Sequence, residues 1–191
     1  ELALVLLAAL LGLPLPLLPL HLLWINLVTD GLPALALVVD PVDANVLGRP
    51  PRPVSEPMLG AREWRYVLLV GALQTAVALS VFVWALEARG LAHARDLAFT
   101  TLVFGELLRA FAARSRDRLL WEVGAWTNVR LLAVVAVTIA LQVLVHQVPA
   151  LQRAFQIGEL SPEDWALSLG LGLVPVTVIE LTKLLRRRLR G

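Results

Sequence analysis

The chain has 191 residues, 58% of them hydrophobic and only 17% charged, with a mean hydropathy of +0.76. A soluble domain carries about a quarter charged residues, so this chain lacks the polar surface to cover a water-soluble fold and reads as membrane-embedded. The net charge of +2 sits at the flanks of apolar segments rather than in a basic stripe with stacking aromatics, which excludes a nucleic-acid surface, and the absence of cysteine excludes disulfides and thiolate metal sites.

No alternation of strand length and polarity of the outer-membrane barrel kind occurs, so the expected fold is all-α, a polytopic helical bundle. A spanning helix needs about 20 apolar residues. The stretch Leu2 to Leu13 is too short and reads as a partial helix. Pro14, Pro16 and Pro19 then make a turn. Full spans are expected at about Leu20 to Val39, Trp64 to Leu86, Leu97 to Ala113, Val129 to Val148 and Trp165 to Leu185. The sum is one partial and five full transmembrane helices in a single unit, 1–191. The amino terminus lacks a basic region and a small-residue cleavage site. The chain begins at Glu1 inside an apolar run, so it reads as a piece of a longer protein.

Between the second and third of these segments, 40–63 is a proline-rich, extended connection, either a plain loop or a docking surface for a cytoplasmic domain. The connections alternate in charge. Arg49, Arg52, Arg62, Arg65, Arg109, Arg114, Arg116, Arg118, Arg130, Lys183, Arg186, Arg187, Arg188 and Arg190 collect on one side, and only Arg89, Arg95 and Arg153 on the other. The positive-inside rule makes the first side, and with it the carboxy terminus, cytoplasmic.

An aspartate near the middle of a span costs about 2.5–3.5 kcal/mol or more, so such residues mark pathways or sites. Asn26, Thr29 and Asp30 stand at i, i+3 and i+4 and share one helix face. Each offers oxygen, the ligand that hard cations such as Ca²⁺ prefer. Pro33 brings no N–H and crowds the Thr29 carbonyl, which predicts a locally unwound helix with that carbonyl free to bind an ion. The plain alternative is interhelical hydrogen bonding by Asn26 and Thr29 with a simple kink at Pro33. Glu1 and Glu106 are further intramembrane carboxylates. Arg109 follows Glu106 by three residues and could pair with it; Glu180 and Lys183 have the same spacing and read as a salt bridge. The six tryptophans lie mostly near span ends, as interfacial anchors do. His21 and His146 are too isolated to propose as metal ligands.

The run Leu22-Leu23-Trp24-Ile25-Asn26-Leu27-Val28-Thr29-Asp30-Gly31-Leu32-Pro33-Ala34 resembles the sixth transmembrane helix of P-type calcium ATPases. Asp40-Pro41 and Arg49-Pro50-Pro51-Arg52 resemble the loop that follows it there, and Thr100-Thr101-Leu102-Val103, Glu106 and Pro175 continue the likeness in order. The resemblance implies helices five (partial) to ten of such a pump. It implies Asn26, Thr29 and Asp30 as sixth-helix ligands of the transported divalent cation, Ca²⁺ or Mn²⁺. Glu1 then stands for the fifth-helix ligand and Glu106 for the eighth-helix carboxylate. Arg109 departs from the uncharged residue usual in the family; a neutralised Glu106 would leave a single-site pump.

No Asp-Lys-Thr-Gly or Thr-Gly-Glu-Ser motif occurs in the chain. The resemblance implies that ATP and Mg²⁺ belong to cytoplasmic domains outside it, and the segment alone is expected to be inactive as an ATPase. The partners implied are the lipid bilayer and the remaining helices and domains of the same pump. Two other classes fit the composition: a piece of a secondary cation transporter, and a stand-alone regulatory membrane module. Alanine-, leucine- and arginine-rich usage points to a bacterial plasma membrane.

Overall fold

Apolar runs with no water to satisfy their backbone must hydrogen-bond within themselves, and here they do so as helices. The computed structural model describes residues 1–41, 60–115 and 118–188 (for Arg62, the backbone only). Helix α1 spans Leu2–Leu10, and Gly12, with φ of +68°, opens the turn toward Pro14. The next span is composite: α2 (Pro19–Trp24), a π-helical stretch Ile25–Gly31, and α3 (Leu32–Val38). Then come α4 (Ala61–Arg89) and α5 (Leu91–Ala112), joined at Gly90 with φ of +86°. A short connection holds α6 (Leu120–Val123) and a 3₁₀ turn, Ala125–Thr127. It leads into α7 (Val129–Gln147), α8 (Pro149–Phe155) and α9 (Pro162–Arg188). The described residues contain no strand, and the chain is an all-α membrane bundle. The proline-rich connection expected at 40–63 falls largely on 42–59, outside the described residues.

Pro19–Val38, Glu63–Arg89, Val129–Gln147 and Pro162–Arg188 are long and apolar enough to cross a membrane. The expected fourth span, Leu97 to Ala113, is instead the 22-residue α5, which starts six residues earlier. It carries Arg95, Asp96, Glu106 and Arg109, and it does not join the apolar set among the described residues. Yet α5 forms the middle of the bundle, buried almost continuously from Leu97 to Leu107. Its charged residues lie toward its two ends, where backbone and counter-charges can meet them. Small residues let α4 and α9 close on it. A Cβ on Gly172 would lie 2.9 Å from the Phe104 Cβ and 3.0 Å from the Gly105 nitrogen.

The apolar core follows from this arrangement. Leu4, Ile25, Phe99, Leu102, Val103, Leu131 and Val135 form one cluster across α1, the composite span, α5 and α7. Val81, Phe82, Leu97 and Leu160 form a second, between α4, α5 and the start of α9. Trp64, Trp84, Trp121 and Trp126 are exposed, as anchors would be. Trp24 and Trp165 depart from that expectation. The Trp24 indole donates to Gln142 Oε1 at 2.9 Å, and Trp165 packs edge-on against His146 at 5.2 Å. A buried indole N–H needs an acceptor, and Gln142 on α7 supplies it.

Candidate cation site

The composite span is where local sequence most disturbs helix geometry. Pro33 sits at the second position of α3, directly after the π-helical residues. Its ring cannot accept the normal packing against the carbonyl four residues back. The helix responds by widening rather than by breaking: Gly31 (φ −63°, ψ −50°) and Leu32 (φ −66°, ψ −47°) remain helical. The unwound segment expected from the sequence is thus corrected to a π-bulge, a device common at functional sites.

All three predicted ligands on this span lie inside the bulge. Thr29 is buried and its hydroxyl donates to the Ile25 carbonyl at 2.8 Å. Asn26 faces outward, and its Nδ2 donates to Glu1 Oε2 at 2.9 Å and to the Leu22 carbonyl at 2.8 Å. Asp30 is half-buried and makes no hydrogen bond or ion pair with a described side chain. An open groove of about 450 Å³ is lined by Glu1, Leu2, Ala3, Leu22 and Asn26. The structure therefore joins Glu1 to Asn26 directly and sets Thr29 and Asp30 within the next turn.

Glu106 is held differently. On α5 it is paired with Arg109, one turn along the same helix. The charges of Arg109 and Asp30 both act on Glu1, so these groups share one region of the bundle. They do not converge: among the described residues no three His, Asp or Glu side chains close into a group able to hold a metal ion. The other predicted pair forms as its spacing suggests, with Lys183 Nζ on Glu180 Oε1 at 2.7 Å.

Two polar assemblies escaped the sequence reading. On α7, Thr138, Gln142 and His146 repeat every fourth residue and are all fully buried. That period in an otherwise apolar helix was a readable signal. His146 Nδ1 meets the Gly158 carbonyl at 2.8 Å and its Nε2 meets the Thr100 hydroxyl at 3.1 Å. His21 Nε2 likewise meets the Phe155 carbonyl at 2.8 Å. The second assembly joins Asp40, Arg114 and Asn128 at the opposite end of the bundle.

Together these features define a multi-pass α-helical membrane protein with an oxygen-rich, π-bulged helix. Comparison with known proteins makes that specific. Residues 14–185 match the family model described as cation transporting ATPase, C-terminus. The chain is 34% identical over 190 residues to a calcium-transporting ATPase of Bacillus subtilis (strain 168), covering 98% of this chain and 21% of that protein. It is 36% identical over 185 residues to the mouse calcium-transporting ATPase type 2C member 2, covering 96% and 20%. It is 31% identical over 198 residues to calcium-transporting ATPase 1 of Bacillus cereus, covering 95% and 22%. The chain belongs to the carboxy-terminal membrane region of the P-type cation-transporting ATPases. It spans about a fifth of the length of these relatives.

Proposed function

We propose that the chain is the ion-binding membrane part of an ATP-driven divalent-cation pump, with Ca²⁺, or else Mn²⁺, as the transported ion. The observation that carries this reading is the π-bulge at Ile25–Gly31, which gathers Asn26, Thr29 and Asp30 beside a Glu1 already bonded to Asn26. Amide, hydroxyl and carboxylate oxygens suit a hard cation. An acidic residue at membrane depth that forms no salt bridge with a described side chain is otherwise hard to explain. The names of the relatives agree with Ca²⁺. ATP and Mg²⁺ act in cytoplasmic domains outside this chain, and the remaining helices complete the site. The fourteen basic residues of one side support a cytoplasmic carboxy terminus, and the alanine-, leucine- and arginine-rich usage supports a bacterial plasma membrane.

Neutralising Asp30 is the test. In the full-length protein that carries this chain, Asp30→Asn abolishes Ca²⁺-dependent phosphorylation from ATP while the protein still reaches the membrane. Normal transport by that variant sinks the proposal. The pairing of Glu106 with Arg109 favours a second, narrower reading, a pump with a single cation site. Counting bound Ca²⁺ in Glu106→Gln alongside Asp30→Asn decides it: an unchanged count with Glu106→Gln supports the single site.

A further inference from the structure

The composite span ends at Val38, and what holds that end is unusual for a helix carboxy terminus. Asp40 follows after Val39, its own N–H donating to the Leu37 carbonyl at 3.1 Å. Its carboxylate is gripped by Arg114, which leaves α5 through the connection to α7. Arg114 Nε donates to both Asp40 oxygens at 3.0 and 3.1 Å, and Nη2 donates to Oδ1 at 2.8 Å. The remaining face of the guanidinium reaches the Gly124 carbonyl at 2.7 Å and the Thr127 hydroxyl at 2.7 Å. The Arg114 side chain is only 3% exposed.

A third residue closes the junction. Asn128 caps α7, its Oδ1 accepting from the Leu131 N–H at 2.9 Å. Its Nδ2 donates at 2.8 Å to Asp40 Oδ1 and at 3.2 Å to the Ala36 carbonyl, one of the last four of α3 that lack a helical donor. The end of the composite span is thus bonded at once to the exit of α5 and the start of α7. Bidentate arginine fixes direction as well as distance. A helix so held cannot slide along its axis or rotate without breaking several charge-assisted bonds. Asp30 lies ten residues before Asp40, about 15 Å along a helix of 1.5 Å rise per residue.

We propose that Arg114 is a positioning residue for the cation site: by clamping Asp40 it sets the axial height and rotation of the helix that presents Asn26, Thr29 and Asp30. This rests on the cation-site reading given above. The guanidinium touches no ion; it acts through the helix. Lysine cannot replace it, because a point charge lacks the fork that fixes direction.

The test uses the full-length protein in membranes, measuring the Ca²⁺ dependence of phosphorylation from ATP together with the thermal midpoint. Arg114→Lys keeps the charge, and Glu122→Gln breaks an exposed ion pair at the same end that does not involve the composite span. Arg114→Lys raises the half-saturating Ca²⁺ concentration roughly two- to thirtyfold, the range expected for coupling through a packed element, at a midpoint near that of the wild type. Glu122→Gln leaves half-saturation unchanged. If Arg114→Lys does not fold, Arg114→Gln/Asp40→Asn, which leaves no charge unpaired, is held to the same criterion. Unchanged half-saturation in the Arg114 variant, or an equal shift in Glu122→Gln, overturns the inference. A wild-type protein with no cation-dependent phosphorylation would instead defeat the proposed function, so the two failures are distinguishable.

Discussion

The two ends of the bundle are fastened by different chemistry. At the end where α5 gives way to α7, charges meet charges: Arg114 on Asp40, Lys183 on Glu180, Arg187 on Glu122. At the other end, polar side chains mostly meet backbone. His21 holds the Phe155 carbonyl, His146 the Gly158 carbonyl, Gln152 the His146 carbonyl, and Asp96 accepts from the Gly158 N–H at 2.9 Å. An Arg89–Asp164 pair lies alongside these bonds. Arg114 and Arg187 reach across to other elements, while the Lys183–Glu180 pair lies within α9. Short contacts from a ring to a carbonyl fix a loop in one place. The first end thus ties α3 to the connection between α5 and α7 through charge, and the second holds α8 and the segment after it against α5 and α7.

The contrast predicts unequal losses. Lys183 and Glu180 are each 7% exposed, and the ammonium also donates to the Ala112 carbonyl at 2.9 Å. Lys183→Met leaves the Glu180 carboxylate buried and unpaired, which costs about 3–5 kcal/mol. It should give the largest drop in thermal midpoint, partly restored by adding Glu180→Gln. At the opposite end, His146→Phe keeps an aromatic ring beside Trp165 but orphans the Gly158 carbonyl and the Thr100 hydroxyl. Neutral groups left unpaired cost about 1–3 kcal/mol, so the expected drop is smaller. Equal drops for the two variants would erase the distinction between the ends.

How much of this could be read in the sequence depended on the reach of each interaction. Helix positions follow from apolar run length, and Asn26, Thr29 and Asp30 from a one-turn spacing, both local quantities. The start of α5 was misplaced because Ala92-His93-Ala94-Arg95-Asp96 looks polar. Those residues are helical because distant backbone satisfies them: Arg95 donates to the Leu15 carbonyl at 2.9 Å, and Asp96 takes the Gly158 N–H. The π-bulge was foreseen as a break, since a proline announces the disturbance but the packing of α5 and α7 decides how it is absorbed. His21 seemed isolated because its acceptor, the Phe155 carbonyl, lies 134 residues away and has no side-chain signature. Arg114 was legible as one more basic loop residue, its partner at Asp40 being set only by the fold.

The smallest effect is expected at the exposed edge of the charged end, and its sign can be worked out. Glu122 accepts from both Arg187 Nη atoms at 2.7 and 2.6 Å, and from the Leu119 N–H at 2.8 Å at the start of α6. Arg187 first, and then the Leu119 N–H, hold its carboxyl down from 4.5 to about 2. A carboxyl with a depressed folded pKa stabilises the fold fully above its unfolded value, and this contribution fades as pH falls through the folded one. The wild-type advantage over Glu122→Gln should therefore be constant above about pH 5, and it should shrink between there and pH 2. Because the pair is exposed, about 1 M salt, with a Debye length near 3 Å, should shrink the same advantage at neutral pH. The buried Lys183–Glu180 pair should keep its advantage under that salt. Thermal midpoints of both variants against pH and salt check this. A salt-insensitive Glu122 contribution would mean that its bond to the Leu119 N–H dominates, and that the rim of this end is fastened by backbone as the other end is.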